Sequence, residues 1–342
     1  MVKRKDGRWQ ETLTVTVNGR PKRIYFYGHT KAEVLRKIAA AKDREENGPP
    51  FDEVIAAWLD EYKTHVMPNT MNPIKAAARR AADAFAGVPV SRITPADVSR
   101  FVADFAARTH AARKTAAMQL QTISMACAYA VRVGWITANP ARDVVLPRGL
   151  KKKPREMPSA EDLARIKAST DVGQGGMFAL WALYTGLRRG ELLALRWEDV
   201  DVQQRVVRVS RSIYHIGEEP HIKAPKTAAG VRIVPIPDRL AEHLRPGRGL
   251  VFPDPETHDI FRRHEFERMW NTYRHETGVE CTPHQLRHAY ATMLFEADVD
   301  GKDAQALLGH ATIHTTLDVY THIREERQRH FSEKLRQIDI AE

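Results

Sequence analysis

Cys127 and Cys281 are the only cysteines in 342 residues, too few for a disulfide scaffold or a four-cysteine zinc module. A reducing cytoplasm is the compartment that suits such a chain. No apolar run is long enough to span a bilayer, and the basic N-terminus leads into charged, alternating sequence where a secretory leader needs an apolar core. A basic amphipathic anchor with exposed aromatics is also missing, so no membrane partner is expected. There is no Gly-x4-Gly-Lys-Ser/Thr loop, and His264-Glu265 lacks the second histidine of a zinc protease helix, which removes the main support for ATP-driven and zinc-hydrolytic chemistry. Asp298-x-Asp300-Gly301 places its glycine two positions too early for a calcium loop and reads as a turn between helices. What the chain has in excess is positive charge: 53 lysines and arginines against 43 acidic residues leave +10. That excess points to a polyanion, with nucleic acid ahead of a membrane surface. At 43% apolar residues the chain is neither disordered nor collagen-like, and its length suits two or three domains.

Residues 1–47 read as a small sheet followed by a helix. Asp6-Gly7 and Asn18-Gly19 are hairpin signals around a run in which Leu13, Val15 and Val17 alternate with threonines, and a third strand follows over Lys22 to Tyr27. Thr30 and Glu33 form a capping box for a helix with Val34, Leu35, Ile38 and Ala39 on one face. Between residues 2 and 31 the basic side chains Lys3, Arg4, Lys5, Arg8, Arg20, Lys22, Arg23 and Lys31 face only Asp6 and Glu11. So basic a unit, interleaved with Trp9, Tyr25, Phe26 and Tyr27, suits DNA; the aromatics serve equally well as the sheet's own minimal core.

Asn47-Gly48-Pro49-Pro50 breaks the chain before an all-helical unit over 51–146. Helices are expected from Phe51, over 72–86, over 95–107 with Thr94 as cap and Pro95 first, and over 111–133. Lys75, Arg79, Arg80, Arg113 and Lys114 on its second and fourth helices are either a DNA-facing set or a solvated face. The segment 147–158, with Lys151, Lys152 and Lys153 between prolines, is a basic linker that suits a phosphate backbone. Ser159 with Asp162 opens the last domain, 159–342. Helices are expected over 160–169, 176–186 and 188–196, then a β-region over 205–237, then helices to the end.

The chemistry-bearing residues of that domain sit where ordinary folding rules would not place them. Thr185-Gly186-Leu187-Arg188-Arg189-Gly190-Glu191 puts two arginines at a helix N-terminus, where the dipole disfavours cations and an anion would remove the conflict. Lys226 falls in Pro225-Lys226-Thr227, an exposed turn between strands. Thr282-Pro283-His284-Gln285-Leu286-Arg287-His288 starts another helix, with His284 and Arg287 on one face. Each signal alone is weak: Arg188 could be a surface ion pair to Glu191, and His284 a core histidine.

The ordered set is specific. Thr185-Gly-Leu-Arg188-x-x-Glu191-Leu-Leu-x-Leu195, Pro225-Lys226-Thr227, His284-x-Leu-Arg287-His288-x-x-Ala-Thr292, Leu308-Gly309-His310 and Tyr320-Thr321-His322 together resemble the tyrosine recombinase, or phage integrase, family. The helical middle unit resembles its core-binding domain and the basic sheet its arm-binding domain, both by pattern alone. The fold implied is α+β and mainly α, ending in a mostly helical catalytic domain. Gln285 stands where the family's His-Asp-Leu-Arg motif usually has Asp.

The resemblance implies that Tyr320 attacks DNA and forms a reversible phosphotyrosyl ester, preserving the bond energy. About one tyrosine in a thousand is ionised at pH 7, so a base and a positive field must assist. Arg188 and Arg287 would fork onto the scissile phosphate. Lys226 would protonate the leaving 5′ oxygen, His284 would help take the tyrosine proton, and His310 would hydrogen-bond the phosphate. No cofactor or metal is implied. The expected partners are double-stranded DNA with core-type and arm-type sites, further copies forming a tetramer, a DNA-bending accessory protein and an excision factor. The tail after Tyr320, with Phe331, Leu335 and Ile338 on one side, docks on a neighbouring subunit in the family; packing on its own domain is the alternative. Integration of a mobile element is the expected function. A chromosome-dimer resolvase or a type IB topoisomerase would share the chemistry, and a non-catalytic DNA-binding regulator is the reading from another class.

Overall fold

A computed structural model describes residues 1–17, 20–151, 157–224, 230–317, 319–321 and 323. The Asn18-Gly19 turn, Lys152, Lys153, Lys226 and the tail from Arg324 lie outside the described residues, as do the side chains of Arg20 and Lys22. The chain divides into two compact units, Met1–Pro154 and Arg155–Glu342. Among the described residues no helix is long and apolar enough to cross a membrane.

The first unit opens with an antiparallel sheet of β1 (Val2–Lys3), β2 (Trp9–Val17) and β3 (Arg20–Gly28), in that order, with Trp9 opposite Gly28 and Leu13 opposite Ile24. Helix α1 (Lys31–Asn47) lies against β2 and β3. The Thr30 hydroxyl accepts from the Glu33 amide at 3.1 Å, while Glu33 turns back to the amide of His29 at 2.9 Å. Four helices follow: α2 (Phe51–Tyr62), α3 (Pro68–Ala84), α4 (Pro95–Thr109) and α5 (Arg113–Arg132). Their core joins Phe51, Val54, Ile55 and Trp58 to Ile74, Ala78, Val98, Ile123 and Cys127. Thr94 and Asp97 make the full reciprocal cap of α4, with Pro95 in its first turn. Helix α3 starts four residues earlier than the periodicity suggests. Pro73 leaves only the carbonyl of Asn69 without its helical donor, and Asn69 is exposed to water, which meets the need.

The second unit is built around α7 (Gly173–Thr185), whose residues Phe178 to Leu183 are all buried, as in a helix surrounded on every side. Around it pack α6 (Ala160–Ala168), α8 (Arg189–Leu193), α9 (Asp238–Ala241), α10 (Arg263–Thr277) and α11 (Pro283–Glu296), followed by α12 (Gly301–Leu308). Phe178 meets Phe252 and Phe266 edge-on, each at 5.1 Å. The β-region resolves into one sheet in the order β4 (Val200–Asp201), β5 (Val206–Val209), β8 (Arg232–Pro235), and a hairpin of β6 (Ser212–Ile216) with β7 (Glu219–Lys223). Helix α8 is shorter than expected because the backbone beyond it is recruited elsewhere. The Leu195 carbonyl accepts from Val251 and the Trp197 amide donates to Gly249, both at 2.9 Å, which stops helical pairing.

Candidate active site

Three chain reversals in the second unit deliver the charged groups. Helix α7 ends at Gly186 in the left-handed region (φ 62°), where a Cβ would stand 2.2 Å from the Tyr290 ring. Only glycine fits there. Arg188 follows immediately as the cap of α8, so it stands at a helix start as the spacing predicts. Helix α11 begins at Pro283 behind Thr282, and Gln285 accepts from the Thr282 amide at 2.7 Å and from its hydroxyl at 2.8 Å. Gln285 in place of the family's Asp therefore retains a capping function. From α11 come His284, Arg287 and His288. The third reversal is Gly309 (φ 61°) at the end of α12, which presents His310.

These elements bring three guanidinium groups together. The exposed Arg188 donates to Glu191 Oε1 at 2.8 Å and to the Gly309 carbonyl at 2.9 Å. Arg287, only 4% exposed, donates to the Gly186 carbonyl at 2.6 Å and to the Leu308 carbonyl. Arg232, from β8, forks onto both oxygens of Glu191 at 3.1 and 2.8 Å and donates through Nε to the Leu307 carbonyl at 2.7 Å. The foreseen pairing of Arg188 with Glu191 exists, but it is no surface bridge: Glu191 is 6% exposed and holds two arginines at once. Burial and the charge of Arg188 push the Arg287 guanidinium down to about 9, against the pull of Glu191. Three cations and one carboxylate leave two positive charges in excess, an environment that favours an anion.

His310 joins this cluster. Its Nδ1 lies 2.9 Å from the hydroxyl of the buried Thr316. Burial first, then the charges of Arg287, Arg188, His288 and Arg232, push the imidazole down to about 3, so it is neutral near pH 7. On α11 the Nε2 atoms of His284 and His288 stand 3.1 Å apart. Tyr320 is not in the cluster. It lies on helical residues 313–317, 319–321 and 323, with its ring 5.0 Å from Phe295 and its hydroxyl donating to the Val299 carbonyl at 3.4 Å. Burial and the nearby Asp300 carboxylate raise its pKa.

The titrations predict a pH effect on stability. Burial alone would raise the Glu191 carboxyl, but the hydrogen bond and charge of Arg232, with Arg188, hold it down at about 2. Its stabilising contribution is present above 4.5 and is lost as pH falls toward about 2. Unfolded His310 takes up a proton below 6.5, whereas the folded residue refuses it until about 3, which also favours unfolding in acid. Thermal melting followed from pH 8 to pH 4 should therefore show a flat Tm down to about neutrality and a fall below about pH 6.5. A Tm unchanged at pH 4 would contradict this assignment.

The sequence-derived DNA set is distributed over the first unit. Lys3 lies over the Trp9 ring at 5.9 Å, joined by Lys31 at 4.5 Å, and Arg4 and Arg8 lie over Tyr27 at 5.2 and 5.8 Å. Arg8 is also paired with Asp6 at 2.8 Å. Lys5, Arg23, Lys75, Arg79, Arg113, Lys114 and Lys151 are exposed. Arg80 is exposed like Arg79 beside it on α3, and it also donates to the buried Gln119 at 3.0 Å and lies over Phe105. Sequence reasoning missed Arg232, a single basic residue in a short strand with no motif around it.

A helical unit that gathers arginines and histidines around one anion-seeking point, with a tyrosine on the helix that follows, is the architecture of a tyrosine-type DNA strand transferase. Residues 163–327 match the phage integrase family and residues 51–145 its central domain. The chain belongs to the phage integrase family of tyrosine recombinases, the site-specific recombinases that act through a tyrosine. A tyrosine recombinase XerC-like protein of Caldanaerobacter subterraneus is 28% identical over 98% of both chains. A putative prophage phiRv2 integrase of Mycobacterium tuberculosis is 29% identical over 97% of this chain and 93% of its own. Tyrosine recombinase XerC of Xylella fastidiosa is 32% identical over 62% of this chain and 72% of its own. Among solved structures, the Tn1549 transposon integrase in complex with transposon right end DNA shares the fold at TM-score 0.65 and 20% identity, covering 82% of this chain and 99% of that one. A lambda integrase tetramer bound to a Holliday junction does so at TM-score 0.59 and 17% identity, covering 91% and 95%.

Proposed function

We propose that this recombinase is an integrase that joins a phage or other mobile element to a chromosome in the cytoplasm of a bacterial host, cutting double-stranded DNA at core-type sites. The observation that carries the reading is the convergence of Arg188, Arg287 and His310 at the end of α12 with two positive charges in excess. A phosphodiester brings one negative charge and its five-coordinate transition state a second, so the cluster binds the transition state better than the ground state. The Tyr320 oxygen attacks phosphorus and its proton passes to His284. The bond from phosphorus to the 5′ oxygen breaks, and that oxygen takes the Lys226 proton. The products are a 3′-phosphotyrosyl ester and a free 5′ hydroxyl, and attack by the 5′ hydroxyl of a partner strand reverses the step. His310 is neutral, and in the tautomer whose Nδ1 accepts from the Thr316 hydroxyl it carries its proton on Nε2 for a phosphate oxygen. Attack requires the Tyr320 hydroxyl to give up Val299 for the phosphate.

In the same reading, residues 1–47 hold arm-type DNA, 51–146 hold the core site, 147–158 link them to the catalytic domain 159–342, and the exposed cations named above meet backbone phosphates. Four copies assemble on DNA, with a bending protein and an excision factor as accessories. A nicked duplex carrying the element's junction sequence tests the reading: the protein should trap itself as a covalent adduct in EDTA. Site-specific footprinting without any adduct would instead mark a DNA-binding regulator. Deleting residues 1–47 should abolish integration into arm-bearing DNA and leave core cleavage intact; unchanged integration would favour the chromosome-dimer resolvase.

A further inference from the structure

We propose that Arg232 is a positioning residue for strand cleavage, holding Arg188, Arg287 and His310 on one phosphate without touching DNA itself; the inference rests on the cleavage site proposed above.

Three successive carbonyls at the end of α12 each take a different arginine: Leu307 accepts from Arg232, Leu308 from Arg287 and Gly309 from Arg188. The last carbonyls of a helix have no internal donor and carry the negative end of its dipole, so this is where cations bind most favourably. The next residue is His310. The α12 terminus is therefore a template that spaces two phosphate-seeking arginines and the histidine relative to one another.

Arg232 secures the template from behind. Its side chain is 5% exposed, and Nε, Nη1 and Nη2 all have partners on Leu307 or Glu191. So buried a group, with every nitrogen already engaged, has no access to a phosphate. What it does is couple. The Glu191 carboxylate it forks onto also receives the Arg188 backbone amide and Nη1, both at 2.8 Å, so the aim of Arg188 depends on Arg232 through one shared carboxylate. Arg232 also packs against the turn before His310: a Cβ on Gly309 would lie 2.8 Å from its Nη1. A buried guanidinium serves this purpose where a lysine would not, because only the planar fork engages both oxygens of Glu191 and still reaches Leu307.

The test compares wild type, Arg232→Lys and Glu191→Gln in single-turnover cleavage of a nicked duplex carrying the chromosomal junction sequence beside the gene. Each is run with a normal scissile phosphate and with a methylphosphonate, which lacks one charged oxygen. A displaced arginine clamp loses rate on the charged phosphate and little on the neutral analogue. Expected for Arg232→Lys are a cleavage rate about 100-fold lower on phosphate, a duplex Kd within about threefold of wild type, and a phosphate-to-methylphosphonate ratio reduced about tenfold or more. Glu191→Gln, which keeps the shape and loses the charge, should reproduce the fall in that ratio and serves as the readout should Arg232→Lys fail to fold. Cleavage within threefold of wild type, or an equal loss on both substrates with a lowered Tm, overturns the proposal and leaves Arg232 a residue of fold stability alone. A wild-type protein that cleaves neither duplex overturns the site assignment itself, and is thereby distinguished from a failure confined to Arg232.

Discussion

Tyr320→Phe should remove the covalent protein–DNA adduct, by about 10⁵-fold or more, because no oxygen would remain to form the ester. The variant tests the chemistry with little cost to the fold. The ring keeps its edge contact with Phe295 at 5.0 Å and its place in the cluster with Tyr290, Leu294 and Leu308. Among the described residues the bond lost is that to the Val299 carbonyl, and at 3.4 Å it is long; its loss costs below about 1 kcal/mol. Binding to the nicked duplex, measured by mobility shift, should stay within about twofold while denaturing gels show no shifted DNA strand. An adduct that survives the substitution would move the nucleophile to another residue. The raised pKa of the resting hydroxyl sharpens the expectation. A tyrosine held against a carbonyl and near Asp300 is a poor nucleophile, so activity must come with its transfer to the arginine cluster.

Arg287→Met separates catalysis from stability in the opposite sense. Arg287 is 4% exposed, and its guanidinium is pushed down to about 9 by burial and by Arg188, so the folded protein holds this charge under protest. Removing it leaves the carbonyls of Gly186 and Leu308 without a donor but relieves desolvation and like-charge repulsion. The two effects oppose each other, and the net change in stability should lie within about 2 kcal/mol of zero. Cleavage should fall by about 10³-fold, equivalent to about 4 kcal/mol of lost transition-state stabilisation. Calorimetric melting beside single-turnover cleavage measures both; cleavage within tenfold of wild type would remove Arg287 from the phosphate clamp. A group that costs the resting protein and serves the transition state is what a functional site contributes to a marginally stable chain.

Much of the fold was legible from local signals. Thr94-Pro95, Thr282-Pro283 and Ser159 with Asp162 each start a helix as their cap chemistry dictates. The boundaries that slipped had causes outside the segment. Helix α8 stops at Leu193 because the strand-like stretch around Gly249 and Val251 claims the following backbone, a contact more than fifty positions away. Helix α3 reaches back to Pro68 because water meets the need of a carbonyl that a buried helix could not leave unpaired.

The ordered motifs by themselves determined the family and the candidate cations, because residue type and local spacing decide which groups carry charge near a helix start. What only the tertiary structure decided is how those cations are held. Arg232 and Glu191 meet across 41 positions, and Arg188 reaches Gly309 across 121. No periodicity encodes such a pairing, since it depends on where β8, α8 and the end of α12 are brought by the burial of apolar faces. The structure also separates Tyr320 from the cluster its motif belongs to: order along the chain places it last, but the packing of its ring beside Phe295 decides where its hydroxyl rests.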